Sequence, residues 1–251
     1  MFDLKLIKTL TWANLRSRYR NTFFGFLWVI MNPIIILFVQ AFLFSIVFKI
    51  QHQNYFVFLM AGLLPWLFII QSVEMCTGMF VSHSNIIKNI SISPLTLLST
   101  QVADNFINFL ISFLMVSSIF FFKGKISFEN ILMYSLPIMI LLIAVVSLVI
   151  ILATLNVLYR DLKFVASFVF SLLFYLTPIF YPARYIPNEY SFILDFNIFY
   201  HLLKPFQILS AQLIYQDFFF NVFKAAMVAS VLALLAFVVW KKNRKYLVVY
   251  A

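Results

Sequence analysis

Arg16, Arg18 and Arg20 stand at alternate positions just ahead of the first long apolar stretch of the chain. A guanidinium carries a planar fork of donors that matches phosphate oxygens, so this cluster suits a phosphoryl ligand. The same charges are also drawn to bulk anionic headgroups, and the residues alone leave both uses open. Acid–base chemistry has less to work with. Glu74 and Asp104 are the plainest carboxylates within apolar stretches, and both fall near the ends of those stretches, where a wet membrane interface is the expectation. The single cysteine, Cys76, and three histidines make neither a disulfide framework nor a cluster with metal-ligand spacing. The phosphate-cradling pattern G-x-x-x-x-G-K-[ST] is absent. Among the four glycines, Gly25, Gly62, Gly78 and Gly124, only Gly124 precedes a lysine, and Lys125 is followed by Ile126. The chain does not use ATP through that loop.

The elements that must position these residues are set by hydropathy. Of 251 residues 64% are apolar and 10% charged, with a mean hydropathy of +1.02, far outside the usage of water-soluble domains. Six stretches are long enough to cross a hydrocarbon core roughly 30 Å thick: residues 26–48, 55–79, 98–122, 131–155, 164–180 and 222–240. Residues 181–221 are apolar but broken by Pro182, Pro187, Asp195, Pro205 and Asp217, which predicts short helices dipping into one membrane face. Residues 1–21 carry Leu4, Ile7, Leu10 and Leu15 at near-helical spacing, with Lys5, Lys8 and the three arginines on other faces. That segment reads either as an interfacial amphipathic helix or as topogenic charge ahead of the first span. The expected fold is an all-α integral membrane protein, one membrane domain over residues 1–251 with six spans, an N-terminal interfacial helix and short re-entrant helices between the fifth and sixth spans.

Basic residues follow the spans. With both termini inside, twelve of the eighteen lysines and arginines fall on the inner side and six on the outer side, which predicts N-in and C-in. The net charge of +10 is then explained by flanking basic residues facing anionic lipid, and nucleic acid is not needed. No cleavable secretory signal is expected, because residues 1–20 lack an apolar core followed by a small-residue cleavage site. Aromatic residues make up 20% of the chain, with 33 Phe, 12 Tyr and 4 Trp. Most are expected to face lipid, pack internally or form interfacial belts. Aromatic faces also stack on the C–H faces of sugars, and Tyr19, Trp28, Tyr55, Trp66, Tyr175, Tyr181 and Tyr185 are candidates for lining such a path.

The stretch RYRNTFFGFLWVIMNP at 18–33 resembles the entry signature of ABC-2 type permeases that export polysaccharides. The resemblance continues in AGLLPW at 61–66, NIIKN at 85–89, YRDLKFVASFVFSLLFYLTPIFYP at 159–182 and FNIFYHLL at 196–203, in the family's order and over most of the chain. It is nearest to the O-antigen and capsule branch, with teichoic acid exporters next. Phe24 stands where the family usually has leucine before Gly25, Asn197-Ile198 where it often has Asn-Pro, and Gln207 where an arginine is common; Pro94 is displaced by one residue. The resemblance implies a half-transporter: two copies of this chain around a path for a polysaccharide linked to a polyprenyl diphosphate lipid, driven by two copies of a cytoplasmic ATPase in the bacterial inner membrane. ATP and Mg²⁺ would then sit on the partner, with no cofactor on this chain. It further implies a substrate entrance at Arg16, Arg18, Tyr19, Arg20, Phe24 and Gly25, and ATPase docking through the 82–93 loop (Asn85, Ile86, Ile87, Lys88), with Arg160 and Asp161 beside it. Teichoic acid, capsule or a smaller lipid or drug are alternative cargoes. A polyprenyl-sugar transferase would need an acidic catalytic set on an inner loop, where only Asp3 and Asp161 fall.

Overall fold

A computed structural model describes residues 4–19, 25–49, 54–84, 92–210 and 215–244. The described residues form helices joined by short turns. In chain order these are α1 (Leu4–Tyr19), α2 (Trp28–Phe42, continued by a π-helical turn Leu43–Val47), α3 (Tyr55–Cys76), α4 (Met79–Ser82), α5 (Pro94–Phe122), α6 (Phe128–Met133), α7 (Ser135–Leu158), α8 (Leu162–Leu176), α9 (Phe192–Phe196), α10 (Ile198–Ser210) and α11 (Tyr215–Asn243). Four apolar stretches are long enough to cross a membrane: Tyr55–Ser82, Pro94–Phe122, Phe128–Leu158 and Tyr215–Asn243. Two further apolar helices, Met31–Val47 and Leu162–Leu176, are shorter.

Local chemistry fixes the ends. Pro94 opens α5, where its missing N–H costs nothing. At the far end of α5 the Lys125 N–H donates to the Phe120 carbonyl and the Gly124 N–H to Phe121, both at 2.9 Å, and Gly124 takes φ +64°. This is a Schellman stop, which needs a residue tolerant of left-handed backbone. Ser127 caps α6 by accepting from the Asn130 N–H at 3.2 Å. Gly25, with φ +50°, turns the chain into α2.

The boundaries differ from the hydropathy reading most clearly around the fifth and sixth stretches. The fifth apolar stretch does not run to residue 180: α8 stops at Leu176, because the residue before Pro178 is driven out of helical backbone, and Thr177 is extended at ψ 131°. The last helix begins at Tyr215 rather than residue 222. Asp217 is among the residues expected to break the segment, but an acidic residue in the first turn suits the helix dipole, and Asn221 folds back onto the Asp217 carbonyl at 2.8 Å. The 181–221 segment therefore resolves into 3₁₀ turns, α9, the longer α10 and the start of α11.

Burial ranks the helices. Within its most apolar window α3 is 78% buried against 22% for α11, so α3 is the central column and α11 the periphery. Around α3 pack α5, α10, α7 and α2, while α7 and α11 lie along each other and α1 lies against α5. The α1 face towards α5 holds Leu6, Ile7, Leu10 and Thr11, whose hydroxyl donates to the Thr100 carbonyl at 3.4 Å; Trp12, Lys5, Lys8 and Arg16 are exposed on the other side. Aromatic rings form much of the core: Phe113, Tyr134 and Phe206 are mutually packed at 4.9–6.0 Å.

Candidate functional site

The break after α8 is the first feature built for more than spanning. Thr177 to Phe180 carry non-helical backbone into the interior, where each carbonyl needs a partner. The Gln207 side-chain amide on α10 donates to the Pro178 carbonyl at 2.6 Å, and the Tyr55 hydroxyl on α3 donates to the Phe180 carbonyl at 2.7 Å. Asn197 works in two directions. Its Oδ1 accepts the N–H groups of Phe199 and Tyr200 at 3.0 and 3.1 Å, which caps α10, and its Nδ2 donates to the Thr177 hydroxyl at 2.9 Å. Gly62 completes the clamp, since a Cβ there would sit 3.0 Å from the Ile179 carbonyl oxygen and 3.2 Å from the Gln207 amide nitrogen.

A second polar feature lies at the opposite end of α3. Along α5, Gln101, Asp104, Asn105, Asn108 and Ser112 recur every three or four residues and so share one face of an otherwise apolar helix. Gln101 bonds Asp104 and Asn105 at 3.4 Å, and Asn105 reaches the Ser72 hydroxyl on α3 at 3.4 Å. Asp104 is 0% exposed, which departs from the wet interface expected for it. The reason is that α5 begins at Pro94, placing Asp104 nearly three turns in, with α1 laid across this part of α5. Glu74 is exposed. Where this face meets α2 and α3, a cavity of about 320 Å³ opens, lined in part by Trp28, Asn32, Gln71, Asn108 and Ser112.

The sequence-predicted residues distribute unevenly around these features. Arg16 is exposed on α1. Arg18 and Tyr19 belong to the last turn of α1 but their side chains lie outside the described residues, as do Arg20 and Phe24 entirely. Asn85, Ile86, Ile87 and Lys88 also lie outside the described residues. Arg160 and Asp161 are exposed in the turn between α7 and α8, and the Lys163 stem at the start of α8 approaches Gly78 so closely that a Cβ there would lie 3.3 Å from it. That contact brings the α7–α8 turn beside the exit of α3. Of the aromatics, Trp28 (40%), Tyr175 (66%) and Tyr185 (50%) are exposed, and Tyr181 is half-buried with its hydroxyl on the Tyr175 carbonyl at 2.8 Å. Tyr55 and Trp66 present no such surface. Tyr55 holds the Phe180 carbonyl, and Trp66, 2% exposed, is enclosed by Phe170, Phe174 and Phe199 at 5.6–6.2 Å.

Two titratable groups on α10, outside the long helices, are shifted by their surroundings. Burial pushes the Lys204 ammonium on α10 below the ordinary lysine range, and the exposed Asp217 carboxylate opposes that shift in part. The ammonium also lies 5.6 Å from the centre of the Tyr200 ring. Burial, reinforced by Asp195, holds the Tyr200 hydroxyl above its usual range. The sequence reading missed both the clamp and the amide face. For the amide face the signal is present in the sequence, as polar residues at helical spacing inside an apolar stretch, though most of them are not ionisable. For the clamp no local signal exists, since Tyr55 and Phe180 are 125 residues apart.

Known proteins match this chain across most of its length. It is 31% identical over 199 residues to the "O-antigen export system permease protein RfbA" of Klebsiella pneumoniae, which spans 78% of this chain and 76% of that protein. It is 28% identical over 204 residues to the protein of the same name in Myxococcus xanthus, spanning 80% and 78%. The profile described as "ABC-2 type transporter" matches residues 5–210, a stretch that holds α1, the cavity helices, the break after α8 and its clamp on α10, and on this match the chain belongs to the ABC-2 type transporter family.

Proposed function

We propose that this chain is the membrane half of an ATP-driven exporter that moves lipid-linked polysaccharide of the O-antigen type out of the cytoplasm. The observation that carries the reading is the similarity, at about three residues in ten, to permeases named for O-antigen export along nearly four-fifths of the chain. On this reading the chain is one six-span membrane domain in the bacterial inner membrane, the two shorter helices, Met31–Val47 and Leu162–Leu176, completing the set with the four long ones. A helix of 15 residues is about 22 Å long, so the short spans need local thinning of the bilayer. Both termini face the cytoplasm, and two copies of the chain pair with two copies of an ATPase that carries the nucleotide and Mg²⁺. The ATPase docks on the 82–93 loop, with Arg160 and Asp161 beside it. The diphosphate enters by Arg16, Arg18, Tyr19, Arg20, Phe24 and Gly25, and the glycan passes the rings of Trp28, Tyr175, Tyr181 and Tyr185.

The test is deletion of this chain in its native cell, followed by separation of lipid-linked glycan on the two sides of the inner membrane. Polymer that accumulates inside while still attached to its lipid is the expected result. A cell that makes no polymer at all points instead to a biosynthetic enzyme, and unchanged surface glycan removes the chain from the pathway.

A further inference from the structure

The cavity between α2, α3 and α5 has a lining of mixed chemistry. Neutral hydrogen-bonding groups, the amides of Asn32, Gln71 and Asn108 and the hydroxyl of Ser112, stand among rings and aliphatic side chains that make up the rest of the lining, Trp28 and Phe109 among them. Asn32 lies about 6 Å into the bundle from the start of α2 and Gln71 about 8 Å from the end of α3, so the cavity occupies the half of the bundle nearest Gly25. At about 320 Å³ it falls at the small end of ligand pockets, which run roughly 300–1,000 Å³.

The lining selects its occupant. No acidic or basic side chain stands among the described lining residues, so a diphosphate placed here would lose its water without gaining a counter-charge. A lipid tail would leave the amides facing hydrocarbon, and none of the hydrogen bonds among the described residues uses the side chains of Asn32 or Gln71. An amide offers a donor and an acceptor side by side and suits neighbouring hydroxyls, while a ring face suits the C–H face of the same ligand. A neutral sugar ring combines both.

We propose that this cavity is a glycan subsite, in which Asn32, Gln71, Asn108 and Ser112 hydrogen-bond the hydroxyls of one sugar ring of the exported chain and Trp28 covers its C–H face. The inference rests on the export reading above and adds a division of labour to it: the arginines ahead of α2 handle charge, and the cavity reads the uncharged sugar.

The test uses the full chain with its partner ATPase in the native cell. The double variant Asn32→Leu/Gln71→Met keeps size and removes both amides. It is expected to lower surface glycan by roughly tenfold or more, the loss of one to two good hydrogen bonds, with lipid-linked polymer held inside and with wild-type abundance and melting temperature in detergent. Asn32→Gln/Gln71→Asn, which keeps the amides, is expected to restore part of the export. Wild-type export by the double variant overturns the proposal, and so does a loss of export that tracks a loss of abundance or melting temperature, since the amides would then be structural. An independent reading comes from Asn32→Cys labelled by a methanethiosulfonate reagent, against a silent background because Cys76 is buried. Labelling several-fold slower in cells that make the glycan than in cells blocked in its synthesis supports the subsite; equal rates, or protection by added sodium pyrophosphate, overturn it. A deletion strain run alongside keeps the two readings apart: if deletion itself leaves export intact the export reading falls, whereas if only the variant exports normally the cavity assignment falls alone.

Discussion

Replacing Tyr55 with phenylalanine removes one oxygen atom and leaves a buried ring in place. That oxygen donates to the Phe180 carbonyl at 2.7 Å, and Phe180 lies in the non-helical stretch after α8, 2% exposed. The size of the effect depends on what the acceptor has left. A side-chain hydrogen bond between membrane helices averages only about 0.6 kcal/mol, because the partners find others when the helices separate. The Phe180 carbonyl differs, since no helix N–H is available to it within the folded chain. Orphaning a buried acceptor costs about 1–3 kcal/mol, so Tyr55→Phe falls in that upper range. At roughly 2–4 °C per kcal/mol for a chain of this size, a loss of 2 kcal/mol lowers the melting temperature by about 4–8 °C. Ser147→Ala is the matched control: its buried hydroxyl donates at 2.7 Å to the Ile143 carbonyl inside the same helix, which the helix ladder already serves, and its loss is expected to stay under about 0.6 kcal/mol. Both variants are melted in the same detergent with the same reporter. If Tyr55→Phe costs no more than Ser147→Ala, the argument that the break is held by its side-chain donors is wrong.

Gly62→Ala gains up to about 1 kcal/mol of helix propensity, yet its Cβ would meet the Ile179 carbonyl oxygen at 3.0 Å, so a net loss of about 1–2 kcal/mol is expected on melting. Asn197→Ala removes both the α10 cap and the bond to Thr177, and is expected to cost about 1–3 kcal/mol, with faster proteolysis between Thr177 and α10 as the second readout. Lys204 carries a lowered pKa because folding strips water from its ammonium. The folded state therefore releases the proton first, and the penalty is fully present at neutral pH and fades as pH rises through the folded pKa towards the ordinary lysine value. Lys204→Met is expected to melt higher than wild type at pH 7, by a margin that shrinks as the pH approaches about 10; a margin that grows with pH refutes the sign. Charge reversal of Arg18 and Arg20 to glutamate is expected to reduce export while the chain still co-purifies with its ATPase, and unchanged export removes the entrance role.

Hydropathy made the long helices legible because each must satisfy its own backbone over a fixed thickness. It failed where that rule is relaxed. Thr177 to Phe180 are as apolar as a span, yet Pro178 ends the helix and the carbonyls are served from α3 and α10, which composition does not record. Asp217 looks like a breaker when polarity is read without position, whereas in the first turn of a helix it reinforces that helix. Trp66 illustrates the limit for the site. Its type suits a glycan path, but its three ring neighbours come from α8 and α10, more than a hundred residues away, and enclose it.

The central position of α3 sets an order on how the protein can be made. It is among the first apolar helices to leave the ribosome, yet the last of the helices that pack around it arrives late: α10 begins 122 residues after α3 ends, at Ile198 against Cys76. At roughly 5–20 residues per second that interval is about 6–24 s. Through most of it, Tyr55, Gly62 and Trp66 stand in the bilayer or against the insertion machinery before Phe170 to Phe180 and then α10 arrive to cover them. Insertion of α3 is thus separated in time from its packing, and a chain released before α10 can thread the membrane without closing its core, which makes the C-terminal third the point at which cellular quality control can distinguish a finished subunit from a truncated one.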